Sequence, residues 1–179
     1  MKKFLVLALV LCCIGFASAE GLEPLMAPGD LAVTAGVGYG FIWGAIDVSG
    51  GVEYMLGQFK IADTIPLTYG AAAKASYYGW SESGSSFSYL GGGAFGTLHL
   101  GLKDINLPDN LGFLENVDTY IGLGAGFYSY SWSGAGEFKI GLRTTGGAAY
   151  FINPKIAIVT EGGYYGYYSS GLLGILFKL

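Results

Sequence analysis

Few side chains in this sequence could do chemistry, and most of them follow one pattern. Nine charged residues alternate with apolar ones: Asp47, Glu53, Lys74, Asp118, Glu137, Lys139, Arg143, Glu161 and Lys178. Two carboxylates placed together can act as general acid and base. The set is nearly balanced, however, with five acidic and four basic residues, and buried charges are stable only when they are paired. We therefore expect an internal network of ion pairs rather than a catalytic acid pair.

Other catalytic and ligand-binding arrangements have little support. His99 is the only histidine, and no serine lies within a few residues of it, which favours a packed or solvated histidine over a catalytic one. The glycine-rich stretches lack the Lys-Ser/Thr pair of a phosphate-binding loop. Cys12 and Cys13 belong to the leader described below, and without them a single histidine offers no cluster of histidine and cysteine metal ligands. We expect no enzymatic activity, no cofactor and no metal.

The first 19 residues have the features of a secretory signal peptide. Two lysines precede an apolar run, Phe4 to Phe16, and Ala17-Ser18-Ala19 offers small residues for cleavage. The run is shorter than the roughly 20 residues of a membrane-spanning helix. Cleavage after Ala19 would remove both cysteines, so the mature chain would have no disulfide.

The composition of the mature chain excludes several classes of protein. Without the two leader lysines, 7 basic and 13 acidic residues remain, a net charge of −6, which argues against nucleic acid as a partner. Charged residues are only 12% of the sequence, against about 25% in soluble proteins. No mature segment is a continuous apolar run long enough for a spanning helix. A secreted chain of this kind can enter a bilayer as a closed sheet.

A side-chain period of two predicts β-strands along the whole mature chain. The clearest hairpin is Val117 to Tyr150, which turns at Ser133-Gly134-Ala135-Gly136 and has apolar residues at every second position from Ile121 to Phe127. Eight strands are predicted, in the segments 31–42, 46–56, 67–78, 87–102, 117–130, 137–150, 155–168 and 173–179. Residues 20–29 are expected to form a short, loose periplasmic leader, and residues 30–179 one barrel domain.

Turn residues predict the connections between these strands. Short turns are expected near Trp43-Gly44, 81–86, Asn153-Pro154 and 169–171, and longer connections at 57–65 and 103–116. Gly91-Gly92-Gly93 could hold a bulge that changes the facing of its strand. Counting back from Asn153-Pro154 places Arg143 roughly opposite Glu161, which predicts a buried ion pair between them.

Aromatic residues cluster near the predicted strand ends, where hydrocarbon meets lipid headgroups in a bilayer. One belt contains Trp43, Trp80, Trp132, Tyr77, Tyr128, Tyr164 and Tyr168, and a thinner one contains Tyr54, Tyr69, Tyr120, Tyr150 and Phe151. Glycines at every second position, as at Gly122, Gly124 and Gly126, would make room inside a narrow barrel. These features favour a barrel in a membrane over a soluble sandwich.

The leader, the eight alternating strands and the chain ending together resemble the small outer-membrane β-barrels of the OmpX and OmpA-transmembrane-domain type. The resemblance covers Asp30 to Leu179 and is architectural. It implies an all-β fold, an eight-stranded antiparallel up-and-down transmembrane β-barrel in the outer membrane of a diderm bacterium. The final strand looks like the signal such proteins present to the outer-membrane assembly machinery, with Leu173, Ile175, Phe177 and Leu179 on one face. Other implied partners are outer-membrane lipid and lipopolysaccharide-like lipid, and the chain is expected to be a monomer.

Three functions remain open at this point. The first is a non-enzymatic barrel with a structural role in the envelope or a role as a surface antigen. The second is a narrow porin-like channel for small or apolar solutes, and the third is a lipid-modifying enzyme. A lumen filled by paired charges would favour the first. Unlike most members of the family, this chain has short predicted outer turns, which argues against an adhesin with long protruding loops.

Overall fold

The computed structural model of the chain describes residues 24–38, 45–61, 65–104, 108–165 and 168–179. Its strands are β1 (Leu31–Gly38), β2 (Ile46–Ile61), β3 (Ile65–Glu82), β4 (Ser85–Gly101), β5 (Val117–Trp132), β6 (Ala135–Asn153), β7 (Ile156–Tyr165) and β8 (Tyr168–Lys178). Each strand pairs antiparallel with the next, and β8 pairs with β1. The predicted eight-stranded up-and-down barrel is confirmed.

The strands are strongly staggered around the barrel. One line of directly paired residues runs through Ala148, Thr160, Leu173, Val37, Val48, Tyr77, Leu90, Ser129 and Phe138. After one circuit this line returns to β6 ten residues from its start, at Phe138 instead of Ala148. Such a shear requires tilted strands, and an eight-stranded barrel has an interior just wide enough for side chains to fill.

Side chains alternate between a lipid-facing and a lumen-facing surface, as the period of two predicted. Apolar residues such as Val52, Ile121 and Leu142 point outward and are exposed, whereas Glu53 and Arg143 point inward and are buried. The exposed surface of the barrel is therefore apolar and the interior carries the charges. This is the reverse of a soluble protein and is typical of a membrane barrel.

The predicted long connection at 57–65 is wrong, because β2 continues to Ile61 and β3 begins at Ile65. The register shifts between Met55 and Gly57, so that Leu56 is an extra residue in β2. A bulge of this kind breaks the strict alternation of side chains. The alternation of apolar and polar residues changes face at Leu56, so the sequence pattern predicted that the strand ended there.

The predicted bulge at Gly91-Gly92-Gly93 is also wrong. The register of β4 is continuous with both neighbours through these residues, with Gly92 opposite Ala75 and Phe127. A Cβ on Gly92 would lie 3.1 Å from the Phe127 ring. The glycines therefore make room for neighbouring groups within a regular strand.

The turns at one end of the barrel, called here the upper end, are shorter than predicted. Ser83-Gly84 and Ser133-Gly134 connect their strands alone, and all four residues have positive φ, at 45°, 86°, 47° and 91°. Two-residue turns of this kind match the twist of a hairpin. Residues 169–171 are not a turn but part of β8, because Tyr165 pairs with Tyr168. The turn near Trp43-Gly44 lies outside the described residues.

The hairpin of β5 and β6 rises above the β7–β8 hairpin at the upper end. The last described pair between β6 and β7 is Thr144 with Tyr164, and β7 turns back after Tyr165. The residues from Ala135 to Ile140 thus extend past the top of β7. This part of the hairpin lies beyond the closed ring of strands.

The lower end carries residues 24–30, the end of β8 and the connection predicted at 103–116, which contains 3₁₀ helices at Leu102–Asp104 and Asp109–Asn116. Residues 24–30 are not a loose leader. The Gly29 amide donates to the Met55 carbonyl and the Met55 amide donates to the Asp30 carbonyl, both at 2.9 Å. The segment folds back under the barrel, and its Met26 side chain is buried.

Candidate functional site: the filled lumen

The lumen is filled by three layers of side chains, and the lowest is apolar. Met26 belongs to one buried cluster whose members come from the N-terminal segment and six strands: Met26, Ala32, Met55, Tyr120, Ala149, Phe151, Ala157, Val159 and Leu176. Lys178 anchors the segment from β8, with its Nζ 3.0 Å from Asp30 Oδ2 and 2.9 Å from the Leu25 carbonyl oxygen. This layer closes the lower end of the barrel.

Above it, His99 is held between two carboxylates. Its Nδ1 lies 2.6 Å from Asp118 Oδ2 and its Nε2 lies 3.0 Å from Glu53 Oε1. The imidazole is only 2% exposed. A ring with a hydrogen on each nitrogen would donate to both acids, and its single positive charge would compensate part of their negative charge.

A second polar group shares the same level of the lumen. Lys74 on β3 forms an ion pair with Glu161 on β7, and the Tyr120 hydroxyl donates to the same carboxylate at 2.5 Å. The Lys74 ammonium also lies 4.8 Å from the centre of the Tyr120 ring. Glu161 therefore has two partners of different chemistry. Both contacts are made by Oε2, and they give this buried carboxylate a countercharge and a hydrogen-bond donor.

A cavity of about 20 Å³ lies beside this ion pair, lined by residues that include Thr34, Ser49, Lys74 and Glu161. That volume holds about one water molecule. Ligand pockets are commonly 300–1,000 Å³. The cavity is therefore suited to an ordered water and not to a solute.

The predicted pair of Arg143 and Glu161 is wrong. Glu161 is paired across the strands with Gly147, and Arg143 with Gly124 on the other neighbouring strand. Asn153 and Ile156 form the last pair before the β6–β7 turn. Arg143 lies ten residues from this turn along β6 and Glu161 only five residues along β7, so the two side chains lie at different heights in the barrel. The buried Arg143 guanidinium instead lies 4.8 Å from the Tyr128 ring, a distance at which a cation is attracted to the ring face.

The third layer is a column of aromatic rings in the upper half. Tyr89 and Tyr128 stack at 6.0 Å between ring centres, and Tyr128 stacks on Tyr130 at 6.3 Å. Phe87 meets Trp132 at 5.9 Å, and Trp132 meets Trp80 edge to face at 5.8 Å. The column leads from the buried lumen to the exposed hairpin tips.

This column corrects the predicted aromatic belts. Tyr128 is buried in the lumen, and Trp80 and Trp132 continue its inward-facing rows above the ring. Tyr120 and Phe151, assigned to the lower belt, are buried as well. Among the described side chains of the two belts, the exposed outward ones are Tyr77, Tyr54, Tyr69 and Tyr150. The side chains of Trp43, Tyr164 and Tyr168 lie outside the described part of the chain.

The predicted charge network divides into two groups. Asp47, Glu53, Lys74, Arg143 and Glu161 lie in the lumen, with Lys178 at its lower end. Glu137 and Lys139 instead pair with each other at 2.9 Å on the raised part of β6, where their side chains are 43% and 42% exposed. Hydrogen bonds from Lys139 and then from the Tyr130 hydroxyl hold the pKa of Glu137 below its ordinary value.

The sequence favoured a packed or solvated His99 without indicating its partners, it placed Tyr120 in an aromatic belt, and it gave Met26 no role in the interior. A signal existed for two of them, since Tyr120 shares its strand face with Asp118, and His99 shares its face with Thr97. Leu173, Ile175 and Phe177 of the predicted assembly signal are exposed on the outer face of β8, and Leu179 follows them. Within the described ranges, no group of three or more His, Cys, Asp or Glu residues could hold a metal ion.

No helix in the described part of the chain is long and apolar enough to cross a membrane.

No family model matches the sequence, and no curated protein matches it significantly. The structure is similar to Ail, the attachment invasion locus protein of Yersinia pestis, with a TM-score of 0.53 and 14% identity over 85% of this chain and 99% of that one. It is also similar to the N-terminal β-barrel domain of Pseudomonas aeruginosa OprF, with a TM-score of 0.50 and 11% identity over 85% and 98%. The chain thus has the fold of the small eight-stranded outer-membrane β-barrels.

Proposed function

We propose that this chain is an integral outer-membrane protein of a diderm bacterium that serves the envelope as a structural barrel or surface antigen, without enzymatic activity. Its filled lumen is the observation that carries the proposal. Apolar residues around Met26, the ion pairs of His99 and Lys74, and the ring column around Tyr128 occupy successive levels of the interior. The described side chains therefore occupy the levels of the interior that a solute or substrate would need.

The channel alternative is less well supported by the interior. The described cavity beside Lys74 and Glu161 holds about one water, and the carboxylate facing it already has two partners. A conduit for solutes would need a continuous wide passage lined by solvated polar groups. The narrow channel therefore remains the second candidate.

A lipid-modifying enzyme has the weakest support. Both nitrogens of His99 are taken by carboxylates, and the ring is buried inside the barrel. A histidine that serves as general base must reach the proton of a nucleophile. In this arrangement His99 stabilises the interior.

The partners follow from location. Outer-membrane lipid would cover the apolar outward face, lipopolysaccharide-like lipid its upper half, and the outer face of β8 would be read by the assembly machinery. The two-residue turns Ser83-Gly84 and Ser133-Gly134 support a compact outer surface at these hairpins over an adhesin with long loops. We propose that the barrel is a monomer.

Location and orientation can be tested with single cysteines, because the mature chain is expected to have none. Ser133→Cys lies at an upper turn and Lys155→Cys lies at the matched lower turn. A membrane-impermeant maleimide added to intact cells should label only the first, and permeabilised cells should label both. Labelling of Lys155→Cys alone on intact cells would invert the orientation, and labelling of neither would contradict surface exposure.

A further inference from the structure

The N-terminal segment, residues 24–30, is attached to the barrel without being part of it. All described pairs of β1 with β2 and with β8 begin at Leu31 or later, so ring closure does not use the segment. Its Met26 side chain fills the lower lumen and is 1% exposed. The segment therefore fills the lumen, and its contact with the sheet is limited to the two backbone hydrogen bonds that join Gly29 and Asp30 to Met55 of β2.

Apart from the backbone bonds to Met55, the described polar contacts between the segment and the barrel come from one side chain, and they are partly exposed. Lys178 meets both the Asp30 carboxylate and the Leu25 carbonyl. The side chains of the Lys178–Asp30 pair are 19% and 21% exposed. Pairs of charges in contact with solvent contribute little stability and are screened by salt. A single ammonium group is thus a central polar anchor of the segment.

A buried polar centre lies behind this segment. Met26 shares its cluster with Tyr120, and the Tyr120 ring stacks on His99 at 5.1 Å and 17°. Beyond the ring are Glu53 and Asp118, whose oxygens face the two imidazole nitrogens. Departure of Met26 would open this cluster from below, and Tyr120 is the member of the cluster whose ring lies against His99.

We propose that residues 24–30 form a removable stopper that controls the access of water and small solutes to the His99 centre, made of Glu53, His99 and Asp118. With the stopper seated, the centre is dry and its three side chains hold one another. With the stopper released, the lower lumen becomes a vestibule whose inner wall carries one histidine and two carboxylates. The upper aromatic column is untouched, so the barrel opens at one end only.

His99 provides a direct readout because it is the only histidine of the chain. Diethyl pyrocarbonate acylates an imidazole that is both accessible and neutral: the nitrogen without a hydrogen bonds to a carbonyl carbon, the ring loses its other N–H proton, and ethanol and carbon dioxide leave. Untagged mature protein is folded in detergent, treated with the reagent, and the modified fraction at His99 is followed by peptide mass mapping. Folding is checked by sheet circular dichroism and by the heat-dependent gel shift.

The modification rate of His99 in three altered proteins distinguishes a stopper from a tail that does not affect access to the lumen. A chain that starts at Asp30 and a Met26→Asp variant should be modified at least about tenfold faster than the unaltered protein. Pro28→Asp is the matched control, since Pro28 is exposed in the same segment, and it should behave like the unaltered protein.

The barrel should fold without residues 24–29, and His99 should then be modified rapidly. Rapid modification of His99 in the unaltered protein would overturn the proposal, as would equal slow rates in the folded shortened chain. Failure of the shortened chain to fold would also overturn it, because a stopper that can leave cannot be required for the barrel. If Met26→Asp fails to fold, the modification rate of His99 in the folded shortened chain is the test of the proposal.

Discussion

His99 and Tyr120 lie directly opposite one another on β4 and β5, with their rings stacked at 5.1 Å. This contact joins the two polar groups of the lumen, because His99 binds Glu53 and Asp118 while the Tyr120 hydroxyl binds Glu161. Acids and bases from four strands thus meet in one cluster. The interior is stabilised as a unit rather than by separate ion pairs.

The pair of Lys74 and Glu161 should show strong energetic coupling. Removing one partner leaves the other charge buried alone, which costs about 3–5 kcal/mol, so Lys74→Met and Glu161→Leu should each destabilise the barrel. The double variant should lose much less than the sum. Urea unfolding in lipid vesicles measures all three, and strict additivity would rule out the pair. Lys139→Met combined with Glu161→Leu is the control and should be additive.

A charge introduced on the outward face should be costly only inside the membrane. Ala125 is exposed on β5 between Ala94 and Leu142, so Ala125→Arg should cost about 2–4 kcal/mol of unfolding free energy at the bilayer midplane. Ala135→Arg, next to the upper turn, is the control with little expected effect. Equal costs at both positions would mean that the assigned membrane level is incorrect.

Substitution by alanine should destabilise the barrel at one glycine of the β5–β6 hairpin and have little effect at another. A Cβ on Gly124 would overlap the carbonyl oxygen of Ala94, whereas a Cβ on Gly141 would meet nothing within 4 Å. Gly124→Ala should therefore cost about 1–3 kcal/mol through overpacking, and Gly141→Ala should be close to neutral. Denaturant midpoints of the two variants provide the comparison. A destabilised Gly141→Ala would contradict the packing described here.

The carboxyl of Glu137 should titrate below its ordinary range, since Lys139 and Tyr130 donate hydrogen bonds to its charged form. A lowered pKa contributes stability above the pKa of the unfolded chain, and this contribution is lost as the pH falls through the folded-state pKa. Lys139→Met should raise the pKa towards the ordinary value. Carboxyl carbon shifts in NMR measure it, and an unchanged titration would exclude Lys139 as the main cause.

The sequence predicted the architecture because the constraint is periodic. A strand in a barrel must alternate between lipid and lumen, so the eight strands and most inward charges follow from a period of two. Leu56 shows the limit of this reasoning, because one extra residue shifts the phase and hides the end of β2. Short segments without a period, such as the one that contains Met26, leave no comparable pattern.

The interior contacts could be predicted less well than the strands. Glu161 binds Lys74, which is on β3 and lies across the lumen from β7, and no register between neighbouring strands reveals such a contact. Tyr120 and Tyr128 were assigned to belts from their positions along the strand. Both residues lie on the same face of β5 as Asp118, which already indicated that they point into the lumen. In a narrow barrel, the face of the strand determines whether a ring contacts lipid or fills the interior.

The most direct test of the filled lumen is the current carried by the unaltered protein in a planar lipid bilayer. Three layers of side chains close the passage, so protein shown to be folded and inserted by its heat-dependent gel shift should give no stepwise current. Removal of rings from the upper layer alone, as in Tyr128→Ala, should leave the lower layers closed and the bilayer silent. Stable conductance steps from the unaltered protein would contradict the structural role and support the channel.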